Sequence, residues 1–135
     1  MMAKPIVRVL IPEDLEQAFS AVATVLESLS LALTNPENKK ITTWTEEGDQ
    51  REIASAEVFA NVKSEFISNI QFWNSADEDV FVAWDSAKDG WIFSIYLAGV
   101  NSVLAMMLMA KLAEMVLIKY RLSYGHGSVF SIEFE

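Results

Sequence analysis

Residues 80–97, VFVAWDSAKDGWIFSIYL, carry two apolar runs rich in β-branched and aromatic residues on either side of a polar tip that ends at Gly90. Runs of that length and composition around a cluster of turn residues read as a β-hairpin with strands at 80–84 and 91–97. Just upstream, Asp77, Glu78 and Asp79 mark a loop. The stretch before that loop, 51–73, fits two templates. Val58, Phe59, Val62, Phe66 and Ile70 recur at helical spacing, whereas even positions from Ala54 to Val62 alternate as in a strand. It predicts either a turn at 47–50 that returns a strand over 51–60, followed by a helix over 62–73, or a single helix.

Further out the periodicities separate. Residues 41–46, ITTWTE, read as a half-exposed strand with a polar outer face. Ile6, Val7, Val9, Leu10 and Ile11 form a short continuous apolar run stopped by Pro12, which suits a central strand. Leu15, Ala18, Phe19, Val22, Val25, Leu26, Leu29 and Leu33 recur at three- and four-residue steps and predict a helix over 13–33. Glu13 and Asp14 would meet its positive end, and Asn35 with Pro36 would stop it. Beyond the hairpin, a helix over 99–122 ending before Gly125 and a last strand over 129–134 complete the order. The expected fold is α+β: a single domain over 1–135, with an antiparallel or mixed sheet of about 5–6 strands and 2–3 helices packed on it.

Residues 91–110 form a run of twenty without charge, the length of a membrane span. Its first half is strand-like, Gly99, Asn101 and Ser102 interrupt it, and the helix continues into Lys111, Glu114, Lys119 and Arg121. A strand joined to a buried helix accounts for the same hydropathy, so no membrane partner is expected. Val103, Leu104, Met106, Met107, Leu108 and Met109 leave that helix without a polar face. It is expected to be covered almost all round. Core burial is one account; a homodimer or partner contact through Leu104, Met107 and Ile118 of the 99–122 helix is the other.

The 135 residues are 52% hydrophobic, enough for one core, and hold no cysteine, which excludes disulfides and thiol chemistry. The N-terminal residues lack a secretory leader's long apolar run, so a cytoplasmic location is expected. His126, in the segment Tyr124, Gly125, His126, Gly127, Ser128, is the one histidine and the best candidate general base, with Ser123 and Ser128 near it in sequence; paired carboxylates from the acidic loops are the other, and a solvated loop is their commoner reading. The segment's ordinary reading is a helix stop and turn. A single histidine and no cysteine cannot furnish a zinc site, neither acidic cluster has calcium-loop spacing, and no glycine-rich phosphate loop is present. No catalytic residue, metal or cofactor is expected.

Nineteen acidic residues against ten basic ones give a net charge of -9, which repels nucleic acid and attracts a basic protein. In these whole-chain properties the protein resembles bacterial immunity proteins, such as those of contact-dependent growth inhibition, which neutralise cationic nuclease or pore-forming toxin domains. The likeness is one of class and rests on no motif. It implies an acidic, non-enzymatic module that occupies the basic surface of a toxin or effector domain. The expected partner-binding residues are Trp44, Glu46, Glu47, Asp49 and Glu52 as one patch. Asp77, Glu78, Asp79, Asp85 and Asp89 form a second, flanked by Trp84 and Trp91. A dimeric secretion chaperone of the type III kind, or a small hydrolase or isomerase using His126, are the alternatives.

Overall fold

The computed structural model describes residues 3–135. In chain order it runs β1 (Pro5–Ile11), α1 (Leu15–Ser28), β2 (Ile41–Trp44), β3 (Gln50–Ile53), α2 (Val58–Lys63), β4 (Asn69–Ser75), β5 (Glu78–Ala87), β6 (Gly90–Tyr96), α3 (Ser102–Glu114) and β7 (Phe130–Phe134). Five strands form an antiparallel sheet in the order β4-β5-β6-β1-β7, and β2 with β3 forms a separate two-stranded hairpin. The fold is α+β, as composition and periodicity predict. The 80–97 hairpin is β5–β6, and β1 is an interior strand between β6 and β7.

Alternation along the strands sets the two faces of the sheet. Val7, Val9, Ile11, Ile70, Phe72, Val80, Val82, Trp84, Phe93 and Ile95 are buried on the face that carries the helices. Phe19 of α1 sits at the centre of that core, with its ring centroid 5.4 Å from Trp84 in an edge-to-face arrangement. On the opposite, helix-free face Phe81 packs edge-to-face on Tyr96, and Arg8 forms an ion pair with Glu133 that fastens β7 to β1. Its hydrogen bond to that carboxylate raises the guanidinium's pKa above the ordinary arginine value.

Both early helices stop sooner than their apolar periodicity predicts. α1 begins as expected, with the Asp14 carboxylate accepting from the Gln17 N–H at 2.9 Å. It ends at Ser28, five residues before the predicted end, because Ser30 turns left-handed at φ 66. The Ser30 N–H donates to the Glu27 carbonyl and the Leu31 N–H to the Leu26 carbonyl, a Schellman closure. Glu65, at φ 61, closes α2 the same way through the Glu65 N–H to Val62 and the Phe66 N–H to Asn61. Neither stop carries the usual glycine. Past them, Leu31 to Thr34 run extended against Trp73 and Ile41, and Asn69–Ser75 is a strand rather than the predicted second half of a helix.

The region 51–73 is therefore neither of the two predicted forms. β3 is four residues long, a short 3₁₀ turn follows it, and the helix covers Val58–Lys63. The expected polar outer face of the 41–46 strand is also absent: Thr42 and Thr43 are buried. The uncharged run 91–110 resolves into β6, a loop and α3, and among the described residues no helix is long and apolar enough to cross a membrane.

The 99–122 helix begins at Asn101, whose side chain accepts from the Leu104 N–H at 2.9 Å. α3 passes at Met115 into one π-helical turn, Met115–Lys119, closed by the Tyr120 N–H to the Met115 carbonyl. Contrary to expectation it is covered on one side only. Leu104, Leu108, Leu112, Met115 and Val116 are buried, while Val103, Met106, Met107, Leu117, Ile118 and Leu122 are exposed. Leu104 therefore faces inward, away from Met107 and Ile118.

Candidate functional site

Two of the acidic segments predicted to act together lie apart. Asp77 belongs to the β4–β5 turn and Asp89 to the β5–β6 turn, and the ten-residue strand Glu78–Ala87 runs between them. At about 3.3 Å per residue the two turns sit at opposite ends of the sheet. Asp77, Glu78 and Asp79 are also engaged within the fold. The Asp79 carboxylate accepts from the Gln71 amide at 2.9 Å, Glu78 accepts from the Asn101 amide at 3.2 Å, and the Asp77 N–H donates to the Ser75 hydroxyl. Trp84, expected as a surface anchor, is 4% exposed and part of the core.

The other end of the sheet gathers the remaining predicted residues. The β2–β3 turn holds Glu46, Glu47 and Asp49 fully at the surface. It is rigidified by the Thr45 N–H to the Asp49 carbonyl, the Gly48 N–H to the Thr45 carbonyl, and the Asp49 N–H to the Thr45 hydroxyl. Glu52 forms an ion pair with Lys40 at 3.0 Å; none of the three turn carboxylates pairs with a cation among the described residues. Trp44 is half-buried, its indole N–H donating to Gln71 at 3.0 Å, so it supports the turn from beneath. Asn69 clamps the hairpin to β4. Its Oδ1 accepts from the Trp44 N–H at 2.7 Å and its Nδ2 donates to the Trp44 carbonyl at 2.9 Å, standing in for one rung of a backbone ladder.

Sequence reasoning missed the aromatic part of this surface. Phe66 is 62% exposed, and its ring is capped by the Arg51 guanidinium of β3, 4.7 Å from the centroid. The helical spacing of Phe59 and Phe66 assigned both to a buried face; Phe59 is half exposed within α2, whose buried residues are Val58 and Val62, and Phe66 lies beyond the left-handed stop at Glu65. Glu65, Asp85 and the half-exposed Trp91 line one shallow groove of about 170 Å³ beside it. Arg51 thus links the hairpin with Glu46, Glu47 and Asp49 to an exposed ring whose neighbour Glu65 shares a groove with Asp85. Such a surface can hold a cationic partner, carboxylates supplying long-range attraction and the ring a desolvated contact.

No comparable geometry surrounds His126. It lies exposed in the loop after α3, with no hydrogen bond to Ser123 or Ser128 among the described residues, and those residues contain no group of three metal-ligating side chains. The chain around it is anchored by its tyrosines: the Tyr124 hydroxyl donates to the Leu10 carbonyl at 2.8 Å, and the Tyr120 hydroxyl donates to the Glu13 carboxylate. Burial, then the Glu13 carboxylate, raises the Tyr120 phenol well above its ordinary value. A phenol whose folded pKa exceeds its unfolded value contributes stability fully below the unfolded pKa, near 10, and loses it as pH rises beyond. Tyr120→Phe is expected to lower stability by about 1 kcal/mol at neutral pH. It should also flatten the alkaline fall, as read by melting temperature across the pH range on both sides of the phenol's titration. An unchanged alkaline slope would mean that Tyr120 is not the group responsible.

The chain matches no known protein family, no curated protein and no solved structure.

Proposed function

We propose that this protein is a binding module of the immunity type, which neutralises a cationic toxin domain by occupying its basic surface. The observation that carries the reading is that the hairpin whose turn holds Glu46, Glu47 and Asp49, carboxylates that pair with no cation among the described residues, also caps the exposed Phe66 through its Arg51. Isolated acidic residues are ordinary on a surface; what sets this one apart is a large ring, 62% exposed, tied to the same hairpin through Arg51. Encounter is steered by the negative field, and residence is set by burying Phe66 against the partner with Arg51 swung to its rim. The partner's residues are arginines and lysines around an apolar socket. Binding of this kind needs no catalytic group, in keeping with the isolated position of His126.

The test is affinity against a panel of purified cationic nuclease and pore-forming toxin domains. One member is expected to bind far more tightly than the rest. Reversing Glu46, Glu47 and Asp49 to lysine should slow association and weaken that complex by about tenfold or more, chiefly at low salt. Phe66→Ala should accelerate dissociation by a similar factor, since a central aromatic anchor is worth about 2 kcal/mol or more. Equal and feeble binding to every basic domain, or indifference to both sets of substitutions, would sink the proposal.

A further inference from the structure

Among the described residues, no strand pairs with the outer edge of β7. Lys4 and Glu135 exchange both backbone hydrogen bonds, at 2.7 and 3.0 Å, and the Leu10 N–H donates to the Val129 carbonyl at 2.9 Å. Residues on an antiparallel strand alternate between facing the partner and facing away. Residues 129, 131, 133 and 135 therefore turn their backbone groups to β1, and Phe130, Ile132 and Phe134 turn theirs outward. The side chains of the same three residues emerge on the helix-bearing face, because they stand opposite Val9, Val7 and Pro5. No helix covers them fully: Ile132 is 50% exposed and Phe134 65%. A flat apolar edge with unpaired backbone groups is a template for another strand.

Charge selects which strand. Residues 99–135 hold three cations, Lys111, Lys119 and Arg121, and three carboxylates, Glu114, Glu133 and Glu135. The first 98 residues hold seven cations and sixteen carboxylates, so the whole net charge of -9 resides there. At β7 the two carboxylates Glu133 and Glu135 are balanced by Arg8 of β1, which pairs with both, so this edge opposes a second copy less than the acidic remainder of the chain.

We propose that two copies of this chain associate through β7, edge to edge and antiparallel, joining their sheets into one of ten strands. The five residues Phe130–Phe134 overlap fully when Ile132 faces the partner subunit's Ile132 and Phe130 faces the partner subunit's Phe134. That register uses the outward backbone groups of all three residues. It puts aromatic against aromatic on the helix-bearing face and Ser131 against the partner subunit's Glu133 on the other, so no like charges are opposed. α3 starts where β6 ends, and there the Leu97 N–H donates to the carbonyl of Pro5, the residue opposite Phe134. The exposed Val103 and Met106 of its first turns thus lie toward the same end of the sheet. The acidic hairpin is on the far side of β4 and stays free, so the dimer is independent of the function proposed above.

Sedimentation of the full chain over rising concentration tests this. The wild type is expected at twice the chain mass. Ile132→Lys, which sets two ammonium groups face to face, should raise the concentration needed for dimer by about tenfold or more while leaving the thermal melt in place. In this cysteine-free chain, Ile132→Cys should oxidise to a covalent dimer under native conditions, which keeps the test sound if the lysine variant folds poorly. A monomer at every concentration would overturn the proposal. So would a dimer that survives Ile132→Lys, forms no cross-link in the Ile132→Cys variant and dissociates with Met107→Glu, which would place the seam on α3.

Discussion

Gly90→Ala is expected to lower the stability of the fold by about 3 kcal/mol or more, the range in which backbone displacement rather than lost contact sets the cost. Gly90 ends the β5–β6 turn at φ 151, and a Cβ built there would lie 2.1 Å from the Ile11 carbonyl oxygen and 2.8 Å from the Pro12 Cα. Both neighbours are backbone, so no rotamer change relieves the clash. β6 would have to separate from the end of β1, breaking the Trp91–Ile11 register that joins the hairpin to the rest of the sheet. Gly48→Ala provides the comparison: its φ is 87, with nothing within 4 Å, so only the left-handed backbone cost of roughly 1 kcal/mol applies. Denaturant titration of both variants gives the two numbers. A Gly90→Ala protein within error of Gly48→Ala would show that the close approach is not what shapes the turn.

Asn69→Ala is expected to cost about 2 kcal/mol, from two side-chain hydrogen bonds to Trp44 at roughly 1 kcal/mol each. Its Oδ1 accepts from the Trp44 N–H and its Nδ2 donates to the Trp44 carbonyl, while the single proton of the buried Thr43 hydroxyl goes to the nearer Asn69 backbone carbonyl, at 2.6 Å, which the substitution leaves in place. The loss is local in a way that bears on binding. The β2–β3 hairpin is two-stranded, and pairs of that size are not stable alone. Freed from β4, it would carry Glu46, Glu47 and Asp49 away from Phe66. Amide exchange at Trp44 and Arg51 should accelerate far more than exchange in β5 and β6. Thr43→Val, which removes the hydroxyl that donates to the Asn69 carbonyl, should show the same pattern at about half the cost. Uniform acceleration throughout the sheet would mean that Asn69 supports the core and not the hairpin.

Much of the architecture is legible locally. The β5–β6 hairpin follows from two apolar runs around a turn, and β1 announces its interior position by continuous hydrophobicity. The 47–50 turn is readable from Gly48 and its acidic neighbours. The stops at Ser30 and Glu65 are not, because a serine or glutamate adopts the left-handed conformation only where the surrounding packing repays the strain. Across each stop, apolar residues continue at helical spacing, Leu29 and Leu33 in one case and Phe66 and Ile70 in the other. After each stop the chain is extended and the same residues point elsewhere. The acidic turn at Glu46, Glu47 and Asp49 is visible as composition. Its neighbour Phe66 is hidden by a period that ends one residue before it.

Composition and short-range pattern determined by themselves the α+β class, the β5–β6 hairpin and the sign of the net charge, since each depends on composition or on residues a few positions apart. Only the tertiary structure decided which apolar residues stay uncovered. Phe66, the outer side of α3 and the inner side of β7 are as apolar as the core. What separates them from it is how the elements are arranged: β7 lies at the edge of the sheet in the order β4-β5-β6-β1-β7, α3 is packed along one side only, and Phe66 follows the stop at Glu65. Burial depends on what packs against a residue from distant parts of the chain, and that information is not contained in any local window.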